Sequence, residues 1–561
     1  MKKIILLSIA LTFISSSTQA ADPLQPGAIR EQSIDTLKYY QLEKRTKDEE
    51  EKKATPREKS VVDETTEADK APPKTTGALI PINKIVTTPS EILSNEEIHA
   101  ITAPYEGKQV SINQLFIVVE AINNLYKEKK AIAAKAVLPP QKVKDGVIQI
   151  KLIEARVGAV KIENNENTRG SYITDRVSIK GGDLVRLSEL EKSIFYFNSV
   201  NDIDIRAVLK PGAELGTTDY TLKVTEPPQY QTLVFIDNAG RDDVGLERLG
   251  LSFTNNSLLG YRDILTLGGQ LAEGTESAYV SYNVPIDTLG TRLGISYDFS
   301  NIDVISGSLE PLNVEGDSSN FGVFVTHPYI VKPAFLLNGF VGVNAKKSNT
   351  EFDGETLFTT KIRTLSFGVD LQTHGVDSSS YSRHYLTNSS GKMGSDKSFF
   401  KYNGEYSHTR LLKKNLILLL RAKAQISNSE LLPSSEQFQI GGMSTVRGYP
   451  EGLLIGDDGY FLSAELTYPM TIKEHEPSNS PFGQKMRGVL FLDHGGAFPF
   501  KGNDESTDNN DFLTSVGFGV NINLSRKLTG KVVVGIPLSH RDDVDGEDDP
   551  RIHFILQSIL F

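Results

Sequence analysis

Cysteine and tryptophan are both absent from this chain. Without a thiol there is no disulfide framework and no thiolate metal site. Basic residues are in deficit: 60 Lys and Arg stand against 71 Asp and Glu, so the electrostatic footprint of a nucleic-acid-binding protein is missing. Long apolar runs are lacking as well. The one near the start, from Ile4 to Ile14, is roughly half of the ~20 residues that a membrane-crossing helix requires. No later stretch reaches that length, so no helical span is expected.

What stands at the start reads as an export signal. Lys2 and Lys3 precede the apolar run, and Ser15–Ser17 and Thr18-Gln19-Ala20 follow it. A charged leader, a short apolar core and a small-residue end predict cleavage after Ala20, making residues 1–20 a signal peptide. Removing Lys2 and Lys3 leaves 58 basic against 71 acidic residues, a net charge of −13. With 20 Tyr, 26 Phe and 46 Gly, the composition suits an outer-membrane β-barrel. It suits a soluble periplasmic β-protein equally, and composition alone does not choose.

Residues 21–52 contain Ile29–Lys52, where only Ile34, Leu37, Leu42 and two tyrosines offer packing surface. As a helix this segment is polar over most of its circumference, which suits a wet environment; a disordered arm is the alternative. Residues 53–76, charged and carrying Pro56, Pro72 and Pro73, read as a flexible linker. Residues 77–227 change character. Three capping boxes occur: Ser94 with Glu97, Ser111 with Gln114, and Ser188 with Glu191. After Ser111, Leu115, Val118, Val119, Ile122 and Leu125 fall on one helical face. The run from Leu138-Pro-Pro-Gln through Asp145-Gly146 to a strand ending at Glu154 is echoed by Leu209-Lys-Pro-Gly, Asp219 and a strand ending at Glu226. Two copies of a small α/β unit, residues 77–155 and 156–227, account for the echo.

From residue 228 to 561 period-two alternation recurs. Leu265, Leu267 and Leu271 alternate with Thr266, Gly268 and Gln270, and the same pattern fills 279–284, 292–299, 364–371, 462–468 and 515–524. The polar faces mix charges with glycines, and long charged connections such as Lys501–Asp511 intervene. This fits strands with an apolar face to lipid and a polar face to a lumen. The 334 residues accommodate roughly 16 strands at ~10 residues each plus turns. At the end, Phe561, Ile559 and Ile555 share one parity, which Gln557 and His553 interrupt.

No Gly-x-Ser-x-Gly elbow, phosphate loop or His-Glu-x-x-His spacing occurs among the 561 residues. The chain reads as a non-enzyme with no cofactor, and His494 as wall packing rather than a ligand.

Two short segments stand out within residues 228–561: Gly441-Gly442-Met443-Ser444-Thr445-Val446-Arg447-Gly448-Tyr449 and Phe491-Leu492-Asp493-His494-Gly495. Together with Leu138–Glu154 they make the chain resemble the two-partner secretion transporters of the hemolysin-activator and filamentous-hemagglutinin exporter type. That resemblance implies a membrane β-barrel of about 16 antiparallel strands, preceded by two α/β POTRA domains and an N-terminal plug helix. It implies that a loop bearing Val446, Arg447, Gly448 and Tyr449 folds into the barrel. There Arg447 meets Asp493 on a wall strand with Phe491 and Gly495. Parity supports the wall assignment independently: Leu490 and Leu492 take the lipid side, so Asp493 points inward, where a carboxylate costs less. A guanidinium fork fixes both distance and orientation of a carboxylate. Such a pair contributes ~1 kcal/mol if hydrated, whereas losing one partner costs ~3–5 kcal/mol if it is dry. Gln141, Asp145 and Gly146 also match the family's pattern and read mainly as turn structure. The family's glycine after the long POTRA helix is missing, and Lys129-Lys130-Ala131 stand there instead.

The function implied is recognition and secretion of a cognate exoprotein, received unfolded on the periplasmic side. Outer-membrane lipid, periplasmic chaperones and the barrel-assembly machinery are the further partners implied. An insertase of the same superfamily is the alternative; a passive porin or inert adhesin barrel gives two repeated α/β units no role.

Overall fold

The computed structural model describes residues 26–34, 36, 61–63, 79–131, 133–214, 216–307, 309–428, 431–470, 486–498, 511–525, 527–539 and 549–560. The proposed signal peptide, and all of the Lys501–Asp511 connection except Asp511, lie outside them. The described residues fall into two compact units, one within Met1–Pro56 and Pro228–Phe561, the other within Arg57–Pro227. No helix among them is long and apolar enough to cross a membrane.

The Arg57–Pro227 unit holds two α/β domains. In the first, Ser94 and Ser111 cap the helices Asn95–Thr102 and Ile112–Glu128, and both capping boxes close reciprocally. Leu115, Val118, Val119 and Ile122 of the long helix bury against Ile148, Ile150 and Leu152 of the strand Val147–Glu154. The sheet orders Lys84–Thr87, Val147–Glu154 and Ala134–Val137. In place of glycine, Lys130 itself takes the left-handed position, at φ 57°. Lys130 N–H then donates to Lys127 O and Ala131 N–H to Tyr126 O, a Schellman closure made with a non-glycine residue.

The second domain repeats the plan with helices Gly170–Val177 and Leu187–Val200 and strands Arg156–Glu163, Asp204–Pro211 and Thr217–Thr225. Here the sequence reading needs correction. The Ser188–Glu191 box does not form, because the helix starts at Leu187, two residues ahead of the position a Ser188 cap would set. Arg186 is its cap and has no side-chain capping bond. Two side-chain amides mark the duplication better. Asn123 Oδ1 accepts from Ala136 N–H and its Nδ2 donates to Ala136 O; Asn198 does the same to Ile205. The terminal glutamates echo as well: Glu154 accepts from Glu91 N–H and Glu226 from Asn167 N–H. Within residues 53–76, read as a linker, Val61–Asp63 form a strand in this domain's sheet.

The other unit is a closed antiparallel barrel of sixteen strands, running from Tyr230–Asp237 to Arg551–Ile559. Strands one and sixteen close it by pairing Leu233 to Asp237 with Ile559 to Ile555. Alternation sorts the two faces. On the thirteenth strand, Met486–Phe498, Leu490 and Leu492 are 48% and 49% exposed, while Phe491 is 5% and Asp493 0% exposed. The exposed parity is the greasy one, as a lipid-facing surface requires. On the last strand the parity expected to be apolar turns inward. His553 and Ile555 are buried, and Ile552 and Leu556 face out. The interruption by His553 and Gln557 thus belongs to the lumen side.

Candidate functional site: the inward loop and the barrel wall

Between the eleventh strand (Ile417–Ser427) and the twelfth (Asp458–Pro469), the chain forms a small hairpin of Phe438–Ile440 with Leu454–Gly456. Its tip carries residues 441–453. Val446 and Tyr449 are fully buried, packed with Phe438, Ile440, Phe461, Ala497 and Leu513. An apolar cluster therefore anchors the tip against the inner wall, and its polar groups are bonded around that anchor.

Arg447 is fully buried and spans two wall strands. Its Nε lies 2.7 Å from Asp493 Oδ2 and its Nη2 3.0 Å from Oδ1, while its backbone N–H donates to Oδ2 at 3.2 Å. Nη1 donates to Glu465 Oε2 at 2.5 Å. The guanidinium carbon sits 3.6 Å from the centroid of the Phe491 ring. Lys531 Nζ, 3.2 Å from Glu465 Oε1, completes a set of two positive and two negative side chains. The four are within 6% exposure, so the pair belongs to the dry regime, where losing a partner leaves a buried charge uncompensated.

Gly448 lies at φ 97°, and a Cβ there would come within 2.9 Å of the Gly535 backbone. Both facts exclude a side chain. Its N–H donates to His553 Nε2 at 3.0 Å, which assigns the proton of a neutral imidazole to Nδ1. Tyr449 Oη accepts from Ser539 N–H at 3.0 Å and lies 2.9 Å from the Thr514 carbonyl it donates to. Gly495 passes close under the loop: a Cβ there would be 3.4 Å from Val446 Cγ2.

Residues 26–34 are helical and lie inside the same barrel. Ile29 packs with Val244, Ile302 and Val304. Gln32 is held from two sides, donating to Glu451 Oε2 at 3.1 Å and accepting from Arg241 Nε at 2.8 Å. Glu31 and Glu436 share Lys346, each at 2.9 Å, and Lys401 lies 2.8 Å from Glu436. Gln439, on the hairpin that bears the Arg447 tip, donates to Ala28 O at 3.0 Å. The helix, the tip and the wall are thus one bonded assembly. Beside it remains a polar cavity of about 280 Å³, lined by Glu31, Lys346, Asn403, Glu405 and Lys423 among others.

Gln141, Asp145 and Gly146 lie in the other unit and form no part of this site. Asp145 and Gly146 both have positive φ, 54° and 67°, the signature of a type I′ turn. Gln141 stands in for a strand: its amide accepts from Gln149 N–H and donates to Gln149 O, both at 2.8 Å. Nearby, Tyr126 donates to Glu154 at 2.9 Å, and burial pushes its hydroxyl well above its usual range. Among the described residues no group of His, Asp or Glu is placed to hold a metal ion.

Sequence reasoning missed Glu465, Lys531 and His553 as members of the site. Glu465 stood on the correct polar parity, and His553 registered only as a break in alternation. Nothing local linked either to Arg447.

Comparison with known proteins follows the same lines. Residues 216–522 match the family described as "Haemolysin secretion/activation protein ShlB/FhaC/HecB", and residues 80–155 the "POTRA domain, ShlB-type". The heme/hemopexin transporter protein HuxB of Haemophilus influenzae is 25% identical over 476 residues, 81% of this chain and 82% of its own length. The outer membrane transporter CdiB of Dickeya dadantii is 23% identical, covering 83% of this chain and 84% of its own. Among solved structures, CdiB from Escherichia coli superposes with TM-score 0.65 at 19% identity over 96% of this chain and 99% of its own. BamA from Haemophilus ducreyi gives 0.55 at 14% identity over 86% of this chain and all of its own.

Proposed function

This chain belongs to the haemolysin secretion/activation family of outer-membrane transporters, and from that premise we propose how its parts divide the work of two-partner secretion. It is a transporter that carries a cognate exoprotein across the outer membrane, with its POTRA domains in the periplasm. In our reading those domains receive the exoprotein unfolded, by adding an extended segment to a sheet edge. Main-chain bonds then give affinity without demanding one sequence. Periplasmic chaperones and the barrel-assembly machinery serve the insertion of the barrel itself.

The observation that carries the reading is the helix of residues 26–34 bonded inside the barrel. A chain crossing ~30 Å of hydrocarbon in extended form needs about nine residues in the channel at once. Helix 26–34 and the Arg447 tip, both bonded to the barrel wall, stand in that path. Helix 26–34 is held largely by polar side chains and one apolar contact set. We assign it the role of a plug that leaves during transport, while the Arg447 tip, anchored by an apolar cluster and a dry ion pair, stays as part of the wall.

The test is comparison of the secreted proteins of otherwise identical cells with and without this chain. One large exoprotein is expected to vanish from the medium and return on complementation. An unchanged secretome with the barrel correctly inserted in the parent contradicts the assignment.

A further inference from the structure

The inward tip takes hold of the wall strand by strand. Arg447 reaches Glu465 on the twelfth strand and Asp493 on the thirteenth. Tyr449 reaches the Thr514 carbonyl on the fourteenth, Phe512–Asn523. On the sixteenth the partner is His553, whose Nε2 accepts from Gly448 N–H at 3.0 Å. Two consecutive amides of the tip therefore point to different strands, that of Arg447 to Asp493 and that of Gly448 to His553. The Gly535 backbone leaves Gly448 no room for a side chain, so at this point only the main chain can be gripped.

His553 stands where the pairing of the closing strand runs out on one side. The ladder to the fifteenth strand, Leu528–Pro537, joins eight residue pairs, from Leu528 with Ser558 to Gly535 with Arg551. The ladder to the first strand joins five and stops at Asp237 with Ile555. Beyond it the Asn238 side chain takes over: Nδ2 donates to Ile552 O and Oδ1 accepts from Phe554 N–H, both at 2.8 Å. From the lumen, His553 ties the same short stretch to the tip. Close by, Met443 of the tip packs with Phe235 of the first strand and Ile555 of the sixteenth.

The choice of a histidine here carries a cost. His553 is buried, and its Nδ1, which holds the proton, has no hydrogen-bond partner among the described residues. A buried polar atom left in that state is unfavourable. An apolar side chain would avoid the cost, as Ile555 does two residues on, but it would not supply the acceptor at Nε2. We infer that His553 is a positioning residue for transport. Its Nε2 fixes Gly448, and through it the adjacent Arg447, at the depth where the guanidinium reaches both Asp493 and Glu465. The same bond ties the closing strand to the tip. This deepens the transport reading above and rests on it.

The test compares two substitutions in the full-length chain. His553→Gln keeps an acceptor at about the reach of Nε2, whereas His553→Leu fills the space without one. Hydrogen exchange of the segment around Val446–Tyr449, measured by mass spectrometry in detergent, is expected to quicken about tenfold in the leucine variant, because the buried Gly448 N–H has lost its partner. Secretion by cells carrying equal amounts of inserted barrel is expected to fall by a similar factor. The glutamine variant is expected to restore both, which a role in packing alone would not predict. Wild-type exchange in the leucine variant overturns the proposal, and so does a glutamine variant no better than leucine. If the leucine variant fails to insert, His553→Phe, which keeps an aromatic ring and drops the acceptor, takes its place with the same two outcomes. If the wild-type chain secretes nothing, the transport reading has failed, and exchange at the tip still reports on His553 by itself.

Discussion

Arg447 is the residue on which the site turns, because its fork is used completely: Nε and Nη2 on Asp493, Nη1 on Glu465. Lysine offers one point charge in place of that planar set. Both Arg447→Ala and Arg447→Lys are therefore expected to abolish most secretion while the barrel still inserts. Alanine costs the tip about 3–5 kcal/mol of anchoring, the penalty for stranding a buried charge. Immunoblots of medium and outer-membrane fractions read both effects. Wild-type secretion by the lysine variant would show that only charge matters. Part of this site was legible beforehand. The parity of Leu490 and Leu492 turned Asp493 inward, and the resemblance placed Arg447 opposite it. Glu465 and Lys531 were not legible as partners. Their meeting with Arg447 depends on the register that sets Glu465 opposite Phe491 and on the depth to which the tip descends, and neither is written in any one strand.

At the scale of elements, the helix around residues 26–34 and the hairpin beneath it differ in how they are held. The hairpin has a continuous chain connection at both ends and an apolar anchor. The helix has hydrogen bonds, ion pairs and Ile29, and hydration of the lumen compensates most of those polar contacts on departure. Deleting residues 22–52 is expected to raise single-channel conductance in planar bilayers severalfold, with the open state long-lived. Conductance unchanged from the full chain would mean that the helix does not obstruct the pore. That a polar helix suited a wet lumen could be read from its composition. Its bonds to Arg241, Glu451 and Lys346 could not, because they join residues two to four hundred positions apart. The strand Val61–Asp63 escaped notice for a different reason: three residues are too few to show a period. The Ser188 box failed because a motif of two residues does not determine which of several neighbouring positions starts a helix. In the long helix of the first domain, by contrast, caps and apolar face agreed, and the element formed as read.

For the molecule as a whole, the alternation of 334 residues together with the family resemblance pointed to a closed cylinder, the form that satisfies every strand edge within lipid. The structure adds what the cylinder contains, a helix and an inward loop tip bonded to its wall, which the proposed function reads as plug and wall. The most direct test is to trap the exoprotein in transit. In the cysteine-free chain, Glu405→Cys lines the lumen cavity, and its neighbour Tyr406→Cys, 43% exposed, lies on the outer face. An exoprotein stalled by a folded terminal domain and carrying single cysteines should cross-link to position 405 and not to position 406. Efficient secretion with no cross-link at 405, at any exoprotein cysteine, would contradict passage through the barrel.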